Sequence, residues 1–164
     1  MGKFIKFCFL ILAISMLCGC GNLQKGNSLQ AFTHNVNTLG SYNMVNTGYI
    51  YNENEKSLYK FYSFNGLEFL LDFTVDKNGN LFCMNIIFDR LSEKHSQEMI
   101  FIKNCMYAFI NDEKTVNDLI EKTNLFEKIL QVSPKSTKEE IGGVELTLDT
   151  TEKGTVITVV KNNL

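Results

Sequence analysis

The pattern of apolar and polar residues predicts a leading helix followed by a run of strands. The helix is expected over residues 28–40, where apolar side chains recur at helical spacing behind Ser28, a suitable N-cap. Two extended runs then flank Asn65 and Gly66, a pair that favours a tight hairpin because both positions of that turn need positive φ. The second run, residues 67–75, alternates apolar and polar side chains as a strand with one buried face does.

Residues 81–88 predict a central strand, because apolar side chains occupy both of its faces. Phe82 lies on the more apolar face and Cys83 on the other. Cys105 belongs to the apolar side of a later helix. If that helix covers the Phe82 face, the two thiols point to opposite sides of the sheet. They then stay unpaired, since a disulfide needs Cα atoms within about 7 Å. A disulfide is the alternative if the helix covers the other face.

The hydrophobic period changes to helical spacing in the middle of the chain and returns to strand spacing near its end. The pattern predicts two helices, then a polar loop, then two strands, over residues 93–110, 114–131, 133–140, 144–148 and 155–160. Strands joined by hairpins, with helices grouped between them, are typical of the α+β class. We therefore expect a single α+β domain over residues 29–164, an antiparallel meander sheet with helices packed on one face.

A different kind of segment precedes this domain. Lys3 and Lys6 are followed by the apolar run of residues 7–16, which is shorter than the roughly 20 residues that a membrane span needs. A short apolar run behind positive charges is typical of a secretory signal peptide. An uncleaved signal-anchor segment is the alternative interpretation.

Residues 17–20, with the sequence LCGC, decide between kinds of signal. They resemble the lipobox of bacterial lipoproteins: an aliphatic residue at −3, a small residue at −1, and a lipid-accepting cysteine. Cys18 stands at −2, where the family more often has Ala, Ser or Thr. The resemblance implies cleavage before Cys20 and attachment of a diacylglycerol to its thiol. Residues 1–19 would be the signal peptide and residues 20–28 a lipidated tether.

The implied location is the cell membrane, with the domain lipid-anchored and facing the envelope or the exterior. The whole chain has a formal net charge of −2, and the signal peptide carries two lysines and no acidic residue, so the mature chain is near −4. No basic block occurs, and nucleic acid is therefore not an expected partner. A mildly acidic chain is not drawn to an anionic membrane by charge, so the lipid on Cys20 would be its contact with the membrane.

Residues with metal-binding potential are few. Asp76, Asn78 and Asn80 match the first ligand positions of a calcium loop, but the Gly and Glu that the motif requires are missing, which favours a hairpin turn. His95 and Glu98 are spaced for one helix face, yet two ligands do not make a metal site, and a solvated helix face is expected.

Catalytic motifs are not found in the sequence. It has no phosphate-binding glycine loop, no nucleophile elbow and no zinc-protease motif. His34, the other histidine, is expected on the polar surface of the first helix. We therefore expect no catalytic residue, no metal and no cofactor, with an envelope hydrolase as an alternative.

Tyrosines are concentrated between residues 42 and 62. Tyrosine combines a large ring with a hydrogen-bonding tip, so Tyr49, Tyr51 and Tyr59 form a candidate binding patch on an open sheet face. Ordinary strand composition is the alternative explanation. With the anchor, the patch predicts a non-catalytic binding or interaction module for an envelope protein or a peptide-like ligand. A pocket for a small or lipidic molecule between sheet and helices is the other alternative.

Overall fold

The computed structural model describes residues 23–45, 47–91, 96–131 and 135–162. Its helices are α1 (Leu29–Gly40), α2 (Ser96–Ile110), α3 (Glu113–Thr123) and α4 (Leu125–Leu130). Its strands are β1 (Ile50–Asn52), β2 (Ser57–Phe64), β3 (Leu67–Val75), β4 (Leu81–Phe88), β5 (Lys135–Ile141), β6 (Val144–Thr150) and β7 (Thr155–Lys161). The strands form one antiparallel sheet in the order β1-β2-β3-β4-β7-β6-β5, with the helices on one face. The predicted α+β architecture is confirmed.

Every second residue of the central strands points to the helices. The register joins Phe73 of β3, Met84 of β4 and Val159 of β7 in one row across the sheet, and all three are fully buried. Burying an apolar side chain of this size stabilises a fold by roughly 1.5–3 kcal/mol. The side of the sheet that carries this row, here called the core face, also holds Leu71, Ile86, Leu146, Leu148 and Ile157.

A β-bulge changes which residue at the start of β4 is buried. Thr74 pairs with Cys83, whereas Val75 pairs with Leu81, so Phe82 is the extra residue on its strand. Leu81 is buried in its place and Phe82 is only half-buried. The alternation that puts Phe82 on one face with Met84 and Ile86 assumes one-to-one pairing, and the bulge breaks it at Phe82.

The predicted polar loop near residue 135 is instead the edge strand β5. It pairs along its length with β6, although all of its residues except Ile141 are charged or polar. Charged side chains discourage an edge strand from pairing with other chains. The same lack of apolar side chains explains two things. The hydrophobicity pattern does not predict this strand, and the strand is suited to the edge of a sheet.

One helix begins at its predicted N-cap, and another predicted helix is divided in two. Ser28 caps α1, since its hydroxyl oxygen accepts a hydrogen bond from the Ala31 N–H at 3.2 Å. The helix predicted over residues 114–131 is divided into α3 and α4 at Asn124, whose φ of 49° is left-handed. Asparagine tolerates this conformation better than most residues, so the break occurs where its cost is low.

Phe101 of α2 lies at the centre of an aromatic cluster that joins helices to sheet. Its ring centroid is 4.8 Å from that of Phe69 on β3 and 5.3 Å from those of Tyr62 and Phe64 on β2. Tyr42, which follows α1, meets the Phe101 ring edge-on at 5.0 Å. The Tyr42 carbonyl oxygen also accepts a hydrogen bond from the Tyr62 hydroxyl at 2.5 Å. This Phe101 cluster fixes α2 and the end of α1 over the first strands of the sheet.

The last residue of α1 must be small because the Tyr42 ring packs on it. A Cβ atom at Gly40 would lie 2.1 Å from the ring carbon Cε2 of Tyr42, closer than two such atoms can approach. The Tyr42 hydroxyl accepts a hydrogen bond from Asn104 Nδ2 at 2.9 Å, and burial raises the Tyr42 pKa to about 12. The Tyr42 ring is thus held by its packing on Gly40 and by the hydrogen bond from Asn104 to its hydroxyl.

The residues before α1 are docked on the domain. The Gln24 N–H donates to Asn35 Oδ1 at 2.7 Å, and Asn35 Nδ2 donates to the Gln24 carbonyl at 3.0 Å. The Asn27 carbonyl accepts from the Leu81 N–H at 2.6 Å, and Asn27 Oδ1 accepts from Lys161 Nζ at 2.6 Å. Burial lowers the Lys161 pKa to about 8. These four bonds, here called the N-terminal clamp, make part of the predicted tether a fixed part of the domain.

The Phe101 cluster leads to a stability prediction. Phe101→Ala removes a fully buried ring, and we expect the free energy of unfolding to fall by about 3–5 kcal/mol in urea denaturation. Phe61→Ala is the matched control, since Phe61 is exposed and its removal should change stability by less than about 0.5 kcal/mol. Equal losses from the two substitutions would contradict the role given to the cluster.

Candidate functional site

The face of the sheet opposite the helices, here called the open face, carries a row of apolar side chains. The register aligns Phe61, Leu70, Ile87 and Val156 across β2, β3, β4 and β7. Phe61 is 62% exposed, and the other three are half-buried. The solvated face of an antiparallel sheet usually presents polar residues, so this row, here called the apolar stripe, is a candidate contact surface.

A hydrogen-bonded polar row runs beside the apolar stripe. The Thr158 hydroxyl donates to Asn85 Oδ1 at 2.8 Å, and Asn85 Nδ2 donates to Asp72 Oδ2 at 3.1 Å. The other carboxylate oxygen of Asp72 is buried and accepts no hydrogen bond from the described residues. Tyr59 on β2 is the cross-strand neighbour of Asp72. The row links β7, β4 and β3 by side-chain hydrogen bonds across the centre of the open face.

The charged residues on the strands of the open face are mainly acidic. Asp149 continues the row of the apolar stripe beside Val156, and Glu68 lies two residues from Leu70 along β3. On β5 and β6, Lys138 Nζ forms an ion pair with Glu145 Oε2 at 2.8 Å. Among the described strand residues of this face, Lys138 is the one basic side chain, whereas the acidic ones are Glu68, Asp72, Glu140, Glu145 and Asp149. A positively charged partner therefore fits the face.

The three tyrosines of the predicted patch do not form one surface. Tyr59 lies on the open face, but Tyr51 pairs with Leu58 on the core-face side of the sheet edge, where it is 52% exposed. Tyr49 packs on Phe73 with ring centroids 6.0 Å apart, and burial raises the pKa of its hydroxyl. The structure thus brings Tyr49 and Tyr51 to one side and Tyr59 to the other.

Phe61 was missed by sequence reasoning, although a signal for it exists. The turn at Asn65 and Gly66, with φ of 51° and 81°, sets the register of β2 against β3. Counting back from that turn pairs Phe61 with Leu70, opposite to the side of the buried β3 residues. The tyrosines were more noticeable by composition, but the register is what places a side chain on a face.

The two cysteines of the described residues, Cys83 and Cys105, are free thiols, as predicted. Cys83 lies on the open face, and Cys105 is buried in α2 on the other side of the sheet. Burial raises the pKa of both thiols, and Cys105 is the more deeply buried of the two. A thiol that is desolvated in this way is a poor nucleophile, because the thiolate is the reactive form.

The loop that resembles the start of a calcium site is a hairpin turn. Asp76 Oδ1 accepts hydrogen bonds from the N–H groups of Asn78 at 2.7 Å and Asn80 at 2.8 Å. Asp76 Oδ2 accepts from Asn80 Nδ2 at 3.0 Å, and these bonds from Asn80 above all lower the Asp76 pKa. The carboxylate is occupied in holding the turn, as predicted.

The histidines do not assemble a site in the part of the chain that is described. His34 is exposed on α1, with its Nε2 atom 3.5 Å from Thr38 Oγ1. His95 lies outside the described residues. Glu98 is only 5% exposed, so the expected solvated helix face is wrong at this position. The described residues contain no cluster of three or more His, Cys, Asp or Glu side chains that could hold a metal.

A shallow groove of about 470 Å³ lies between the end of α1, the start of α2 and β2. Its lining residues include Leu39, Tyr42, Phe64 and Asn104. The groove is open to solvent, and the space between helices and sheet is filled by the buried side chains of the core.

Thiol reactivity tests the placement of the two cysteines. In the native protein at pH 8, we expect iodoacetamide to modify Cys83 slowly and Cys105 not at all, as read by peptide mass spectrometry. Both thiols are expected to react rapidly in guanidinium chloride, because unfolding removes the burial that raises their pKa. Modification of native Cys105 at the rate of Cys83 would contradict this placement.

The described helices include none that is both long and apolar enough to cross a membrane. In comparisons with known proteins, no family model, no curated protein and no solved structure matches this chain.

Proposed function

We propose that this protein is a lipid-anchored lipoprotein of the bacterial envelope whose domain binds another protein through the open face. The anchor is a diacylglycerol on Cys20, and the binding role needs no catalysis. The lipobox-like residues 17–20 and the apolar run before them support the anchor. The apolar stripe supports the binding role, and it is the observation that carries the proposal.

The apolar stripe is suited to association because its side chains are already ordered by the sheet. Phe61 projects from β2 with most of its ring in water, and each Å² of apolar surface removed from water contributes roughly 25 cal/mol. The polar row beside the stripe does not need to rearrange, so little conformational entropy is lost on binding. An ordered, partly apolar face of this kind is suited to act as a preformed binding surface.

The charges around the apolar stripe define the chemistry of the partner. Glu68 and Asp149 lie at its border, near opposite ends of the row. Lysine or arginine side chains on a partner would meet these carboxylates while apolar side chains cover Phe61. We therefore infer that the partner is an envelope protein that presents apolar residues flanked by basic ones. Such charge pairs speed association and weaken it as salt rises.

The lipid anchor is tested by metabolic labelling with an alkyne fatty acid in the cells that express the full chain. We expect the label on the wild type and its complete loss in Cys20→Ala, because the thiol of Cys20 accepts the lipid. Cys18→Ala is the matched control and should keep the label, since alanine is common at that position of the lipobox. Label retained in Cys20→Ala would overturn the proposed anchor.

The binding face is tested by placing a photo-crosslinking amino acid at Phe61 or at Tyr51 in the lipidated protein. Both positions are strongly exposed, but they lie on opposite sides of the sheet. We expect one partner to be crosslinked from position 61 and not from position 51. The crosslinked peptide of the partner should contain apolar residues next to Lys or Arg.

Binding measurements with that partner complete the test. Phe61→Ala should weaken its affinity by roughly ten- to thirty-fold, the effect of about 1.4–2 kcal/mol for a large apolar side chain buried on binding. Tyr51→Ala should leave affinity unchanged. Crosslinks from position 51 alone, or equal affinity of wild type and Phe61→Ala, would contradict binding at the open face.

A further inference from the structure

We propose that the N-terminal clamp orients the anchored domain, with the outer side of α1 toward the lipid surface and the open face away from it. This inference rests on the lipid anchor at Cys20 proposed above. It adds a surface that meets the bilayer and a reason why the open face stays accessible. Residues 23–28 are docked on the domain, and only a short length of chain separates them from Cys20.

The clamp holds the segment at two points on the domain. Asn35 exchanges two hydrogen bonds with the backbone of Gln24, at 2.7 and 3.0 Å, and it is fully buried on α1. Asn27 is held between the backbone of Leu81 on β4 and the ammonium group of Lys161 on β7. A buried polar group that loses its partner destabilises the fold, so the clamp resists opening.

The stretch of chain from Cys20 to Gln24 is short compared with the domain. From Cys20 to Gln24 the backbone spans at most about 14 Å when fully extended. The helix layer and the sheet together are roughly 20 Å thick, since a helix with its side chains is about 10–12 Å across and a sheet layer about 10 Å. Gln24 lies in the helix layer against Asn35. A lipid on Cys20 therefore cannot reach around the sheet to place the open face against the bilayer.

The residues that would meet the lipid surface lie on and beside α1. Gln30 and His34 are exposed one turn apart on its outer side, and Gln24 and Lys25 are exposed beside it. These are polar side chains suited to the headgroup layer rather than to the hydrocarbon core. The expected partner of this side is the headgroup layer of the bilayer that holds the anchor.

Fluorescence quenching on vesicles measures this orientation. The lipidated full chain, carrying Cys83→Ser, is labelled at Gln30→Cys or at Ser63→Cys, an exposed position on β2 beside the apolar stripe. It is bound to phosphatidylglycerol–phosphatidylethanolamine vesicles that contain a headgroup-attached quencher. We expect quenching at position 30 to exceed that at position 63 by roughly twofold or more, because the domain thickness separates them.

Two variants separate a clamp effect from a simple difference between label sites. A flexible insert of about ten Gly and Ser residues between Asn22 and Leu23 adds roughly 17 Å of reach and leaves the domain intact, so the two labels should become equally quenched. Asn35→Ala should reduce the difference by releasing Gln24. A difference that survives the insert would overturn the inference, as would equal or reversed quenching in the wild type.

Different outcomes of this experiment contradict the lipid anchor and the orientation of the domain. A wild type that does not bind vesicles, or a Cys20→Ala protein that binds equally well, would overturn the lipid anchor and this inference with it. Vesicle binding that depends on Cys20, with equal quenching at both positions, would leave the anchor in place and overturn the orientation alone.

Discussion

The packing around one ring, that of Phe101, holds α2 and the end of α1 to the sheet. The ring touches side chains from the hairpin of β2 and β3 and from the segment after α1, so two earlier parts of the chain meet on a single residue of α2. Apolar burial has no preferred direction, but aromatic rings pack with preferred angles and add about 0.5–1.5 kcal/mol per pair beyond their buried area. The cluster thus specifies the position of α2 and the end of α1 as well as stabilising them.

Because the helices all occupy one side, the two faces of the sheet have different roles. The core face is filled by large apolar side chains, and the open face must combine solubility with order. It does so through the polar row from Thr158 to Asp72, which lies next to the apolar stripe. The Asp72 oxygen that receives no hydrogen bond from the described residues is a local cost of that arrangement.

The fold class, the hairpin at Asn65 and Gly66 and the free thiols could be predicted from the sequence, because each depends on local pattern. The errors have physical causes of their own. Phe82 was misplaced because a bulge breaks alternation, and β5 was missed because its stabilising contacts come from backbone pairing with β6 rather than from apolar side chains. The tyrosine patch failed for a related reason: composition does not say which face of a strand a residue occupies, and Tyr51 and Tyr59 belong to different strands.

The N-terminal clamp also constrains the order in which the molecule matures. The hydrogen bond between Asn27 and Lys161 joins residues separated by 134 positions, so it cannot form until β7 has been made and paired. A chain that emerges N-terminus first therefore lacks the contact between Asn27 and Lys161 until its last described strand has been made. Under the lipid anchor proposed above, an enzyme that modifies Cys20 during transfer would meet a chain whose clamp is still incomplete. The topology of the sheet would then separate acylation from completion of the clamp.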